Sequence, residues 1–111
     1  MKLITEETEV LPGLFVYPVG GHCPGELLVR VETGAGSFIL ASDAAHFYEQ
    51  IENEWPFFAF TDIEEMKEGL AFINKLAKET DSTIVPGHDG RTRDRFPAAP
   101  GVAGEVAIVL A

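Results

Sequence analysis

Ser37-Phe38-Ile39-Leu40-Ala41-Ser42-Asp43 is the stretch on which the reading of the chain turns. Its apolar residues run unbroken from Phe38 to Ala41 and stop just short of a carboxylate, and Gly34-Ala35-Gly36 bounds the stretch on its other side. A short apolar run with such limits reads as a buried strand. It delivers Asp43 at its carboxyl end, where α/β folds commonly place binding chemistry. Leu27 to Thr33 reads as a partner strand. With the tight Gly34–Gly36 connection, the two are most simply an antiparallel hairpin. Further upstream, Leu14 to Val19 reads as a strand in which Pro18 marks an edge or an end. Residues 1–12 are acidic and finish at the turn signal Leu11-Pro12-Gly13.

Beyond Asp43, Ala44 to Asn53 is expected to form a short helix. Trp55-Pro56-Phe57-Phe58-Ala59-Phe60 carries four aromatic rings in six residues, and its proline argues against a helix. It reads either as a loop pinned to the core by its rings or as the apolar wall of a pocket. Asp62 opens the clearest helix, expected over about 62–79, with Asp62 and Glu65 at capping-box spacing. Ile63, Met66, Leu70, Ile73 and Ala77 make one apolar stripe. Acidic residues crowd its first turn and lysines its last, as the helix dipole favours. Thr83 to Pro86 then reads as a short buried strand, so the helix is a crossover between strands. Arg91, Arg93, Asp94 and Arg95 are expected to be solvated. Pro97 to Gly101 breaks the chain, and Glu105 to Leu110 is open to a strand or a helical turn.

The totals limit the functions available. The 111 residues suit a single domain, and 46% hydrophobic content supplies a core. A net charge of −10 without a basic block argues against nucleic acid and anionic membranes as partners. The single cysteine, Cys23, excludes an internal disulfide and fits a reducing compartment. The N-terminus lacks an apolar signal core and no run reaches membrane-span length, so a cytoplasmic location is the expectation.

Two histidines look as if they belong with Asp43, each on a Gly/Pro-stiffened turn beside an expected strand. His22 lies in Gly20-Gly21-His22-Cys23-Pro24-Gly25, and His88 in Val85-Pro86-Gly87-His88-Asp89. Imidazole and carboxylate at strand ends are ligands suited to zinc, iron or manganese. Spacing alone does not join them, because no two are close in sequence. His46, three residues after Asp43, is a fourth candidate. It reads as a second-shell group, a substrate-facing donor or a helix-start residue.

These motifs resemble those of the metallo-β-lactamase superfamily. Gly21-His22-Cys23-Pro24-Gly25 resembles its Gly-His-Thr-Pro-Gly turn, and Leu40-Ala41-Ser42-Asp43-Ala44 its strand carrying the bridging aspartate. Val85-Pro86-Gly87-His88-Asp89 resembles its last metal-binding loop. Ala41 to Glu49, followed by Pro56-Phe57 and the His88 loop, is most similar to the N-acyl homoserine lactonase-like branch. The resemblance implies an α/β fold: one mixed sheet with a main helix, the C-terminal half of an αββα sandwich, with residues 1–111 as a single half-domain. It implies metal binding by His22, Asp43 and His88, with Asp43 bridging two metals, and metal-assisted attack on a lactone carbonyl. His46 stands where the lactonases often carry a tyrosine that hydrogen-bonds the substrate, and Asp43 and His46 are the implied catalytic residues. Cys23 replaces the usual threonine.

One signature is missing. The family's His-x-His-x-Asp-His, which supplies the remaining ligands, has no counterpart here, and no His-x-His occurs in the sequence. A half fold would also leave one sheet face open, and large exposed apolar patches are rare on monomers. The expected cover is a second copy in a homodimer, or a separate N-terminal half. Three functions follow as expectations. The chain is a half-domain inactive alone, a lactonase completed by a partner chain, or a non-enzymatic interaction module using Trp55 to Phe60.

Overall fold

The structure, a computed structural model, describes residues 3–111. Its strands are β1 (Thr8–Leu11), β2 (Leu14–Pro18), β3 (Leu27–Thr33), β4 (Gly36–Leu40) and β5 (Ser82–Val85). Its helices are α1 (Tyr48–Asn53), α2 (Ile63–Thr80) and α3 (Thr92–Arg95). The strands form one sheet in the order β1-β2-β3-β4-β5. Neighbours are antiparallel except β4 and β5, which are parallel with Ile39 opposite Ile84. The sheet is therefore mixed, and α2 is the crossover that parallel pairing requires.

Register assigns the two faces, because alternate residues of a strand point opposite ways. Tyr17 pairs with Leu28, Arg30 with Ile39, and Ile39 with Ile84, so these residues share a face. There they meet Met66, Leu70, Ile73 and Leu76 of α2 in the core. The opposite face carries Leu14, Val16, Val29, Val31, Phe38, Leu40 and Val85. All but Phe38 are only half-buried, and the Phe38 ring is met by Phe96 at 6.3 Å. The apolar run Phe38-Ile39-Leu40 thus serves both faces, the pattern of a sheet meant to be covered twice.

Several local expectations are corrected. β1 lies within residues read only as an acidic lead-in, and its strand state comes from pairing with β2. The helix expected from Ala44 begins at Tyr48, because Ser42–Ala44 forms a 3-10 turn and Ala45 is extended. Only half of the capping box forms. Asp62 accepts from the Glu64 and Glu65 amides, but its own N–H donates to the Gly21 carbonyl instead of to Glu65. Ile63, read into the apolar stripe, lies on the exposed side. The aromatic segment is held by one ring: Phe57 packs on the core, whereas Trp55, Phe58 and Phe60 are 60%, 83% and 43% exposed. Arg91, Arg93, Asp94 and Arg95 are exposed, as expected, and among them Arg91 forks onto Asp89 and Arg95 lies 3.5 Å over the Tyr48 ring. Residues after Gly101 make a 3-10 turn and one bridge, Ala98 to Ile108, in place of a strand or helix.

The alternation of β3 also turns a cation towards the core. Arg30 is 7% exposed. Its guanidinium lies 4.1 Å over the Phe15 ring, donates to the Tyr17 hydroxyl and pairs with Glu32 at 2.7 Å. Each neighbour offsets part of the cost of burying the charge.

Candidate metal centre

Three separate connections bring the chemistry to the carboxyl ends of β4 and β5. The turn after β2 carries His22. It lies against the start of α2 so closely that a Cβ on Gly21 would stand 2.4 Å from the Met66 Cα, and Gly21 has φ +101°. No other residue fits there without moving the backbone. The Gly21 carbonyl accepts from the Thr61 and Asp62 amides, which ties this turn to the helix.

The second connection leaves β4. Ser42 adopts φ 50°, a left-handed conformation uncommon for a non-glycine residue, and this turns Asp43 out of the strand line. The Asp43 amide donates to Glu26, which fixes its backbone. The third connection is the loop after β5. Gly87 passes so near Ser42 that a Cβ would lie 2.2 Å from the Ser42 carbonyl oxygen. The Gly87 and His88 amides donate to the Ala45 and His46 carbonyls, which zips the two loops together. Asp89 holds this arrangement by accepting from the Tyr48 amide and from Arg91. Its carboxyl is held well below the usual carboxylate range by the Arg91 guanidinium.

The result is one carboxylate facing three imidazoles. His88 Nε2 lies 2.6 Å from Asp43 Oδ1, His46 Nε2 lies 3.6 Å from the same oxygen, and His22 Nε2 lies 3.7 Å from Oδ2. The donor atoms of Asp43, His46 and His88 all lie within 4.8 Å of one another. All of the sequence-predicted site residues therefore meet. Geometry further adds Glu26, which orients Asp43, and Phe57, whose ring lies 4.4 Å from His46. The acidic residue beside the Gly/Pro turn was a faint signal for the first, and the aromatic segment a clearer one for the second.

The electrostatics follow from this packing. The Asp43 carboxyl is held below its ordinary range, chiefly by the hydrogen bond from His88 and against some desolvation. Burial, helped by the neighbouring His88, pushes His46 down, which favours a neutral ring. Cys23, half-buried beside His22, has its thiol pushed up by desolvation and by Glu26.

The donor set fits a divalent transition metal. The His22 Nδ1 lies 2.8 Å from the Ala59 carbonyl oxygen, which only accepts, so Nδ1 carries the proton. That leaves the Nε2 lone pair directed at Asp43, the orientation by which metal-binding histidines are prepared. Nitrogen donors with one carboxylate suit zinc, iron or manganese.

No family model matches the chain. In sequence it is 34% identical over 89 residues to an N-acyl homoserine lactonase of Bacillus thuringiensis, covering 79% of this chain and 35% of that protein. A Bacillus cereus N-acyl homoserine lactonase is 30% identical over a stretch of the same length. In structure it matches an N-acyl homoserine lactone hydrolase with N-hexanoyl-L-homoserine bound at its catalytic metal centre. The TM-score is 0.80 at 30% identity, over 90% of this chain and 40% of the other. A probable metal-dependent hydrolase from Staphylococcus aureus, at 14% identity and TM-score 0.66, shares the fold. The chain thus spans about 35–40% of the length of the relatives it matches. In sequence and in fold it is a relative of the N-acyl homoserine lactonases of the metallo-β-lactamase fold, matching a part of them.

Proposed function

We propose that residues 1–111 are a single half-domain of a metal-dependent hydrolase of the lactonase kind, inactive alone and active once completed by another chain. The observation that carries this reading is the convergence of His22, His46 and His88 on Asp43. His22, Asp43 and His88 hold zinc, or iron or manganese in its place. A metal held there would supply Lewis-acid polarisation of a carbonyl and would lower the pKa of a bound water. Asp43 and His46 face the reacting centre. Asp43, ionised, holds positive charge in place, and the buried His46 ring presents one edge to the ligand side of the cluster. The ligand class is an acyl lactone or a similar ester. That the relatives named above are lactonases supports this choice. The absence of any His-x-His in the sequence supports inactivity alone.

The apolar face opposite α2 is where completion occurs. Leu14, Val16, Val29, Val31, Leu40 and Val85 are apolar, contiguous by register and only half-buried. A second copy stacked on this face, or a separate N-terminal half, buries it. Among the described residues no helix is long and apolar enough to cross a membrane. With one thiol and no disulfide, the chain suits the cytoplasm.

The test is elemental analysis of protein purified without chelator, followed by lactone hydrolysis. Near-stoichiometric metal in the wild type, lost in His88→Ala, is the expected result, with no hydrolysis by the isolated chain. Chelator-sensitive hydrolysis by the isolated chain, abolished in Asp43→Asn, overturns the inactivity. A folded, metal-free protein overturns the whole reading, and it favours an interaction module built on the exposed Trp55 and Phe58 rings.

A further inference from the structure

We infer that His46 is itself a metal ligand, so that this chain holds one ion with donors of its own in place of a substrate-facing group. The assignment rests on the metal-binding reading above, adds His46 to its ligands and replaces the reactant-facing role given to that ring there.

His46 is 6% exposed, the most deeply buried of the three imidazoles. Among the described residues, neither of its ring nitrogens has a hydrogen bond. Nδ1 is fully enclosed without a partner, and Nε2 lies 3.6 Å from Asp43 Oδ1, beyond hydrogen-bond length. A buried polar group left in this condition is costly and calls for an explanation. A second-shell role would need a hydrogen bond to a ligand, which that separation does not provide. A helix-start role is not met either, because α1 begins two residues later and the His46 amide is satisfied by Gln50.

An ion beside Asp43 gives a partner to Nε2, the ring nitrogen that faces the carboxylate, and leaves the enclosed Nδ1 to carry the ring proton. His46 and His88 both present Nε2 to the same carboxylate oxygen, while His22 presents its Nε2 to the other. The donor atoms of Asp43, His46 and His88 lie within 4.8 Å of one another. Donors bound at about 2.0–2.1 Å stand at most about 4.2 Å apart, so a small side-chain rotation closes the set. The exposed His88 supplies that rotation, because it is the most accessible of the three rings. His46 does not need to move much. Its ring is packed 4.4 Å from Phe57 and 4.8 Å from the His88 ring, which fixes its direction before any ion arrives.

The experiment uses the metal-free chain, titrated with zinc and separately with cobalt(II), in the wild type, His46→Phe and His88→Ala. Phenylalanine suits a ring-lined site, and far-UV circular dichroism of the metal-free protein reports whether the variant folds. Loss of a second-shell partner weakens metal binding about 10–100-fold, so loss of a ligand is expected to cost about 100-fold or more. The cobalt(II) visible spectrum of His46→Phe should change in intensity and position. On the wild type alone, nitrogen-15 labelling of histidine should show His46, with His22 and His88, strongly shifted by cobalt(II), which decides the matter if the variant fails to fold. A zinc affinity in His46→Phe within about threefold of wild type, with an unchanged cobalt spectrum, overturns the assignment and leaves the metal reading intact. A wild type that binds no metal overturns both.

Discussion

The two faces of the sheet are built from the same strands and differ in what lies against them. On one, Leu28 and Ile39 are fully buried beneath Met66, Leu70 and Ile73 of α2. On the other, Val29 and Leu40, their immediate neighbours in the chain, are apolar and half-exposed. Composition therefore does not distinguish a finished face from an unfinished one. The covered face is defined by a helix whose stripe matches the strands. The open face has the same chemistry, and its Phe38 ring is met by Phe96 at 6.3 Å. The contrast teaches that these strands are apolar on both faces while α2 covers one of them.

The largest effect expected from this contrast is on the covered face. Leu70 has no exposure, and Leu70→Ala removes side-chain volume where neighbours cannot fully close in. A loss of about 2–5 kcal/mol is expected in chemical denaturation, enough to leave so short a chain near its unfolding threshold. A loss as small as that of an exposed alanine substitution would break the comparison, because α2 would then not be the cover that the core depends on.

The anchor of that cover comes next in size. The Asp62 side chain accepts from the Glu64 and Glu65 amides at 2.9 and 3.0 Å, satisfying two donors at the open end of α2. Asp62→Ala is expected to cost about 0.5–2 kcal/mol, read as a lower denaturation midpoint. Asp62→Asn should retain most of it, because an amide oxygen also accepts.

How much of this was legible depends on the range of the interaction responsible. The α2 stripe, its Asp62 cap and the hairpin of β3 and β4 follow from local periodicity and turn residues, and the structure has them close to where the sequence places them. β1 was not legible, because Thr8-Glu9-Val10-Leu11 has little pattern of its own and becomes a strand by pairing. The inward position of Arg30 was not legible either, because it depends on the register of β3 with Ile39 of β4. At the site, Asp43 is legible from the apolar strand that ends at it, and His22 and His88 from their Gly/Pro turns. Their meeting was not visible in spacing, because it depends on Gly21 against Met66 and Gly87 against Ser42, contacts between distant segments. The inward position of His46 was hidden for another reason: the expected helix began too early, and the 3-10 turn at Ser42–Ala44 changes which way the next side chains point.

The smallest effect on folding belongs to the open face, and it sharpens the comparison most. Val29 lies on the central strand of that face, opposite Val16 and Leu40. Lysine there meets no helix, and its long stem lies along the apolar surface while its ammonium reaches water. Val29→Lys is therefore expected to change the stability of dilute protein by about 1 kcal/mol or less, within the span of strand propensity. Its larger consequence is for association. A cover formed by a second copy would bring two ammonium groups into one apolar interface, where an unpaired charge is strongly disfavoured. Sedimentation at micromolar concentration should then show a wild-type dimer and a Val29→Lys monomer. A wild type that stays monomeric over that range removes the second copy as the cover and leaves a separate chain as the candidate. A Val29→Lys variant as unstable as Leu70→Ala would erase the distinction between the faces, because it would mean that the chain already covers both.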